Sequence, residues 1–552
     1  MQIHRAQSSP DRSFSIWRWI DRHFIQLTRE IRLSYLPPLM VYLAAGISGL
    51  TAIVGTFFVK EYLGLTAEFL AGLAFWAMLP WTLKLPIGHL VDLIWRYKGF
   101  LVVLGGLLIG ISLGIMIGLL DHRALMESYL PAGTWYVISV ILAPVGYVIQ
   151  DVVADAMTVE AVPGTDSDGR LLTDAQQRLM HSTMQTLGRV ATIAGTLAVA
   201  LINVYMFRDV EGLREIEKVG IYLRIYEMAL GIPVISCAGV LLAAFLRYRY
   251  HRRLVKLGYT RNEIDGLMHE PTQKTQANWA ILGGGFVFAL SSIGIGIANF
   301  TYGQEIIFLV SSTIIITLMI RISREMQKDA RHVLLGTAIL IFFFRAVPSP
   351  GPGSSWWMID TLGFDQSFMA RLSLIGSVLS LAGLFLFRRQ MAEKSVSTIV
   401  GFLTFTGTVL SIPTIAMFFG FHHWTAAMTN GVVDARFIAI VDTALESPLG
   451  QIAMVPMLAW IAHSAPSHLK ATFFAVMASF TNLSLALSQL LTKYLNKVFV
   501  VTREIRDPVS GLQTVPANYS DLGDLLISAT LLGLLIPFAA IWFVRRFRLP
   551  SV

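Results

Sequence analysis

The chain is short of charge and nearly without cysteine. Only 14% of its 552 residues are Asp, Glu, Lys or Arg, whereas a soluble protein of this length carries nearer a quarter and divides into several domains. The single cysteine, Cys237, excludes an intramolecular disulfide and a cysteine metal cluster. Long alternating polar and apolar stretches are missing, which argues against a membrane β-barrel. A basic domain is missing too. The formal charge is +8, yet Lys and Arg punctuate the chain instead of gathering, so no nucleic-acid partner is expected. Nothing resembles a phosphate-cradling loop, a His-rich metal spacing or a nucleophile elbow. An ATP-driven pump or an enzyme therefore has little support, and neither a metal nor a cofactor is expected.

What the chain has is apolar length: 55% of its residues are hydrophobic and the mean hydropathy is +0.62. The apolar residues come in runs of about 18–25, enough to cross about 30 Å of hydrocarbon as helix. The runs fall at 37–59, 69–95, 100–120, 134–158, 181–206 and 222–246, then at 278–298 and 303–320. Six more fall at 332–348, 366–388, 396–420, 434–462, 470–494 and 522–546. The expected chain is all-α and polytopic, with about 14 transmembrane helices. Residues 37–246 would form an N-terminal six-helix bundle, 247–277 a basic cytoplasmic linker, 278–320 an extra two-helix hairpin on the outside, and 332–546 a C-terminal six-helix bundle. Residues 1–36 carry Phe14-Ser-Ile-Trp-Arg-Trp-Ile-Asp-Arg22 and lack the apolar core of a signal peptide. They read as a cytoplasmic segment, either an interfacial helix or a tail.

With the N-terminus in the cytoplasm, Lys and Arg favour the inner segments by nearly three to one, which places both termini inside. Arg503 and Arg506, in the outer loop 495–521, run against that bias. An internal repeat supports the division into six and six. Gly64-Leu-Thr-Ala-Glu-Phe69-Leu-Ala-Gly-Leu73 opens the second run, and Gly363-Phe-Asp-Gln-Ser-Phe368-Met-Ala-Arg-Leu372 opens the second run of the last bundle. Asp151 and Asp155 in the fourth run find counterparts in Asp442 and Glu446. Matched features in matched helices point to duplicated halves.

Several residues carry chemistry. Asp151 and Asp155 share one helix face, as do Asp442 and Glu446. Acids inside spans are costly and serve a cavity, a pairing or a proton path, so these four are the proton-coupling candidates, with helix-holding ion pairs as the bland alternative. Lys84 lies in mid-span between Pro80 and Pro86, where freed carbonyls and a kink suit a cavity wall. It would serve substrate or as a counter-ion. Arg345 and Arg371 join it as substrate-binding candidates, with snorkelling from the outer ends as their bland alternative. Arg189 would pair with an acid of the fourth run. Pro348 to Trp357 forms a shaped outer loop or gate, whose tryptophans fit an interfacial belt. The stretch Gly88-His-Leu-Val-Asp92-Leu-Ile-Trp-Arg96-Tyr-Lys98 is similar to the cytoplasmic signature of the major facilitator superfamily. Gly88 would allow close helix packing, and Asp92 would pair with basic residues such as Arg96 and Lys98 to latch an inner gate.

Beyond that signature, the chain resembles the folate–biopterin transporter family of that superfamily. The likeness rests on Leu79-Pro-Trp-Thr-Leu-Lys84-Leu-Pro-Ile-Gly88 leading to Asp92, on Asp151 to Glu160, and on Pro348-Ser-Pro followed by Thr361 to Phe364 and Phe368 to Ser377. Gly450 to Pro456 and Ala471 to Met477 add to it. The resemblance implies a major facilitator fold and proton-coupled import of a folate- or pterin-like organic anion, with Lys84 and Arg371 inside matched motifs. The chain departs from the family in its extra pair 278–320, where twelve spans are typical, and in Ser354-Ser-Trp-Trp-Met358, where a tyrosine-rich stretch is usual. A permease for another large polar solute such as muropeptides, or a non-transporting pigment- or partner-binding protein, are the competing readings. The partners expected are the organic anion, protons and the bilayer of a bacterial inner membrane.

Overall fold

A computed structural model describes residues 32–63, 65–165, 170–210, 212–268, 277, 279–298, 300–324, 328–386, 395–449, 470–506 and 513–549. Nearly all of the segment 1–36, the stretch Gly450 to Pro456 and the latter part of the run 434–462 lie outside them.

The apolar runs become helices. They are α1 (Leu33–Leu63), α2 (Ala67–Leu93), α3 (Lys98–Asp121), α4 (Ala132–Ala161), α5 (Asp174–Met206) and α6 (Glu217–Lys256). A short α7 (Arg261–Leu267) follows, then the pair α8 (Trp279–Ala298) and α9 (Gly303–Ser323). After them come α10 (Lys328–Arg345), the short α11 (Pro352–Asp360), α12 (Gln366–Leu386) and α13 (Val396–Phe418). The short α14 (Phe421–Met428), α15 (Ala435–Glu446), α16 (Lys470–Val498) and α17 (Leu522–Arg546) complete the order. Among the described residues nine helices are long and apolar enough to cross a membrane. Helices α8, α10, α12, α15 and α16 stand at the other expected positions.

Helix starts follow local chemistry. The Thr66 hydroxyl accepts from the Phe69 N–H at 3.1 Å and caps α2, and the Asp365 carboxylate accepts from the Phe368 N–H at 2.7 Å and caps α12. An N-cap acceptor satisfies one of the orphan donors of the first turn. The repeat aligns Thr66 with Asp365 and Phe69 with Phe368, so the matched sequences make the same cap at the same register. In the linker, Thr260 and Glu263 form a capping box that starts α7.

Helices α1 to α6 pack on one another, most intimately α3 on α4. There a Cβ on Gly105 would stand 2.6 Å from the Gly146 carbonyl oxygen, so glycine is what lets the two backbones approach. The later helices pack as α13 on α17, α10 on α17 and α12 on α15. The earlier and later helices meet along two seams, α2 on α16 and α5 on α12. The α8–α9 pair lies across the first seam. Phe288 and Ile307 share one apolar cluster with Phe75 and Leu79 of α2 and Ala486 and Leu490 of α16. Gln304 donates to the Gly72 carbonyl at 3.0 Å, and Glu305 accepts from Tyr494 at 2.6 Å. The pair thus covers a seam.

Three local expectations are corrected. Residues 352–360 form a helix, because Gly351 takes φ +76° and hands over to Pro352 at the first turn, where proline suits helix geometry. Trp356 and Trp357 are 2% and 3% exposed, packed inside and not in an interfacial belt. Gly88 is not a close-approach glycine, since a Cβ there would meet only Val152 at an ordinary 3.8 Å.

Candidate functional site

Helix α2 loses its regular pitch at Leu79–Leu83, a 3-10 turn opened by Pro80. Proline removes a backbone donor and leaves carbonyls without partners. Side chains also reach the backbone within the break: Thr82 donates to the Leu79 carbonyl at 2.7 Å, and Asn482 of α16 donates to the Trp81 carbonyl at 3.1 Å. The break ends at Lys84, which forms an ion pair with Asp151 of α4. Its ammonium also stands 5.5 Å from the Trp81 ring. One turn along α4, Asp155 accepts from the Tyr42 hydroxyl of α1 at 2.7 Å. Arg189 of α5 is within electrostatic reach of Lys84, Asp155 and Tyr42 without making an ion pair among the described residues.

Four helices therefore converge on two cations, two carboxylates and a phenol. Asp155 and Arg189 are exposed although the helices around them face one another. That exposure is to the inside of the bundle, because lipid-facing exposure would not bring Tyr42, Lys84 and Arg189 to one carboxylate. Lys84 is the counter-ion of Asp151, one of the two roles its position allowed. Arg189 approaches the acids electrostatically, short of the pairing expected. Tyr42 gave no signal in the sequence beyond a phenol in an apolar run.

The later helices hold a second, looser set. Thr414 of α13 lies 3.5 Å from Asp442 of α15, and Glu446 is within electrostatic reach of Asp442. Glu446 is exposed and Asp442 half-buried. Arg371 is exposed near the start of α12, and Arg345 is half-buried at the last residue of α10. The structure does not bring these two arginines to the Lys84 cluster by any described contact.

At the end of the molecule where α2 runs into α3, Lys98 pairs with Glu160 of α4 at 2.5 Å and stands 4.0 Å from the Trp95 ring. Arg247 reaches the same carboxylate at 3.4 Å. Asp92 makes no ion pair among the described residues and is exposed, with His89 within electrostatic reach. Lys98 is thus held within the first six helices by Glu160, and the pairing expected between Asp92 and a basic residue of the motif is not formed.

The opposite end is different, and nothing in the sequence announced it. Lys60, at the end of α1, lies 2.6 Å from Glu61 and 2.6 Å from Asp360 of α11. Arg503 donates to the carbonyls of Lys60 and Leu65, each at 2.6 Å, with its guanidinium 5.3 Å from the Trp356 ring. Asp360 also accepts from the Tyr519 hydroxyl at 2.5 Å and from the Glu504 N–H at 3.1 Å. Burial and that hydrogen bond hold the Tyr519 phenol far above its ordinary range, so it stays a donor. Gln366 adds a buried bond of 2.6 Å to Tyr222. Arg503, the outer arginine that ran against the charge bias, is buried here and spent on carbonyls.

Comparison with known proteins fits this geometry. The family model described as the BT1 family matches residues 267–547, just over half of the chain. The chain belongs to the BT1 family. A protein named "Folate-biopterin transporter" from Synechocystis sp. is 29% identical over 162 residues, 29% of this chain and 32% of that protein. The match thus spans about a third of the relative's length. Among solved structures, a POT family transporter in complex with 5-aminolevulinic acid aligns with a TM-score of 0.58 at 14% identity, covering 93% of this chain and 96% of that one. A second POT family structure, with a thioalcohol-conjugated peptide, gives 0.57 at 13% over 93% and 96%. At these identities the likeness is one of fold. It shows that this BT1-family chain shares the helical fold of those two solved structures.

Proposed function

We propose that the chain is a secondary active transporter that imports a folate- or pterin-like organic anion together with protons by alternating access. Two six-helix halves, 37–246 and 332–546, would rock about the seams, with the α8–α9 hairpin riding on one of them. The substrate class comes from the curated relative's name and from the resemblance of the Lys84 and Arg371 motifs.

One observation carries the mechanism. The interior cluster holds Lys84 and Arg189 against Asp151 and Asp155, two positive charges against two negative. With both acids ionised it is neutral and has little attraction for an anion. A proton on Asp155 leaves the cluster one charge positive, which attracts an anion. An anionic substrate and a proton would then bind together and leave together. Tyr42 holds the Asp155 carboxylate in place in either state, and Arg371 on α12 would supply a cation from the facing half. The flat aromatic head of a pterin suits a wall bearing Trp81. On the charge bias of the loops, the Asp92 end would be cytoplasmic and the Lys60 end external.

Uptake of radiolabelled folate, 5-formyl-tetrahydrofolate and biopterin into proteoliposomes, with and without an inward proton gradient, tests the reading. Gradient-driven accumulation of one of them is expected. Folded protein that accumulates none of the three would overturn the substrate class, and muropeptides would be tried next.

A further inference from the structure

We infer that Lys60, Glu61 and Asp360 form a reversible latch that closes the external end, with Lys60 as the moving part. The inference rests on the two rocking halves proposed above. Lys60 and Asp360 are 4% and 8% exposed, and their 2.6 Å contact joins α1 of the first half to α11 of the second. A buried ion pair between bodies that must separate is costly to break if either charge is left alone. Here neither is.

Lys60 keeps Glu61, its chain neighbour, at the same 2.6 Å. Asp360 keeps the Tyr519 hydroxyl and the Glu504 N–H, both from its own half. The repeat explains the arrangement. Aligning Gly64 with Gly363 puts Glu61 and Asp360 at one register, so Lys60 stands between two equivalent carboxylates, one from each half. Opening exchanges a shared cation for one held by Glu61 alone. Arg503 is the part that cannot be exchanged so simply. It gives both of its described hydrogen bonds to carbonyls of the first half, and those bonds must pass to water. A permanent staple needs no spare partner on each side; a latch does.

The test uses spin labels at Tyr129 and Met428, exposed positions at this end on the two halves, in a Cys237→Ser background that removes the only native cysteine. Their distance distribution is read by electron–electron resonance in purified full-length protein without substrate. Lys60→Met and Asp360→Asn are expected to add a longer-distance population. Glu61→Gln is expected to do the reverse and narrow the distribution toward the short distance, because Asp360 is then the one carboxylate left of the two described against Lys60. Unchanged distances in Lys60→Met and Asp360→Asn would overturn the latch. So would Glu61→Gln lengthening the distances as the other two do, the mark of a structural staple. The opposite sign expected for Glu61→Gln separates latch release from loss of folding. Because the readout needs no substrate, its failure is distinct from failure of the transport assay.

Discussion

The two ends of the molecule are built on different terms. At the Lys60 end, buried polar contacts reach from the early helices to the late ones: Lys60 to Asp360, Arg503 to the carbonyls of Lys60 and Leu65, Gln366 to Tyr222. At the Asp92 end the described ion pairs, Lys98 and Arg247 on Glu160, stay within the first six helices, and Asp92 is exposed. Among the described residues, ion pairs cross from one half to the other at the first end and stay within the first six helices at the second. Between the two ends lies the mid-depth cluster, where Asp155 and Arg189 are exposed and Lys84 and Asp151 half-buried.

The comparison can be broken at its shared middle first. Lys84→Ala takes the cation from the half-buried Asp151, and uptake is expected to fall by about 100-fold, the factor that about 2.7 kcal/mol makes. Uptake within threefold of the parent would remove Lys84 from the path. The next largest effect belongs to the Lys60 end. Arg503→Ala strips two charge-assisted hydrogen bonds, worth about 3 kcal/mol together, and should lower the melting temperature in detergent clearly; an unchanged melt would show that the buried guanidinium is idle. A matched pair of glycines sharpens the contrast further. Gly351→Ala forces a side chain into φ +76° beside Asn496 and should cost about 1–2 kcal/mol, whereas Gly88→Ala meets only Val152 and should stay within about 0.5 kcal/mol. Equal melting shifts for the two would contradict the packing described. The smallest stability effect is expected at Asp92, where Asp92→Asn removes no ion pair present in this state and shifts stability by less than about 0.5 kcal/mol. Its uptake should nevertheless slow, because closing the cytoplasmic end is where that carboxylate would find a basic partner.

Much of the architecture was legible because a spanning helix is a long, uniform signal. Runs such as 100–120 and 522–546 have no competing fold, and the repeat at Gly64 and Gly363, read as a mark of duplicated halves, carries two caps made at the same register. The Asp151–Asp155 spacing and the prolines around Lys84 marked the interior cluster, but whether Lys84 served substrate or a neighbouring acid depended on α2 facing α4. The Lys60 end was illegible for the same reason. Lys60, Asp360 and Arg503 lie in three distant loops or helix ends, and no spacing rule links them. Trp356 and Trp357 misled because tryptophan suits a membrane interface and a core equally; the guanidinium of Arg503 over Trp356 and the helix started by Gly351 and Pro352 decide between them. Tyr42 went unread because a phenol in an apolar run announces nothing until its partner, Asp155, is placed.

The account turns on one carboxylate exchanging a proton as an anion binds beside it. Asp155→Asn fixes that position in its uncharged form, so counterflow exchange of labelled against unlabelled substrate should persist in proteoliposomes while accumulation driven by a proton gradient is lost. Accumulation by Asp155→Asn equal to that of the parent would contradict the coupling, and loss of exchange and accumulation together would make Asp155 a substrate ligand instead.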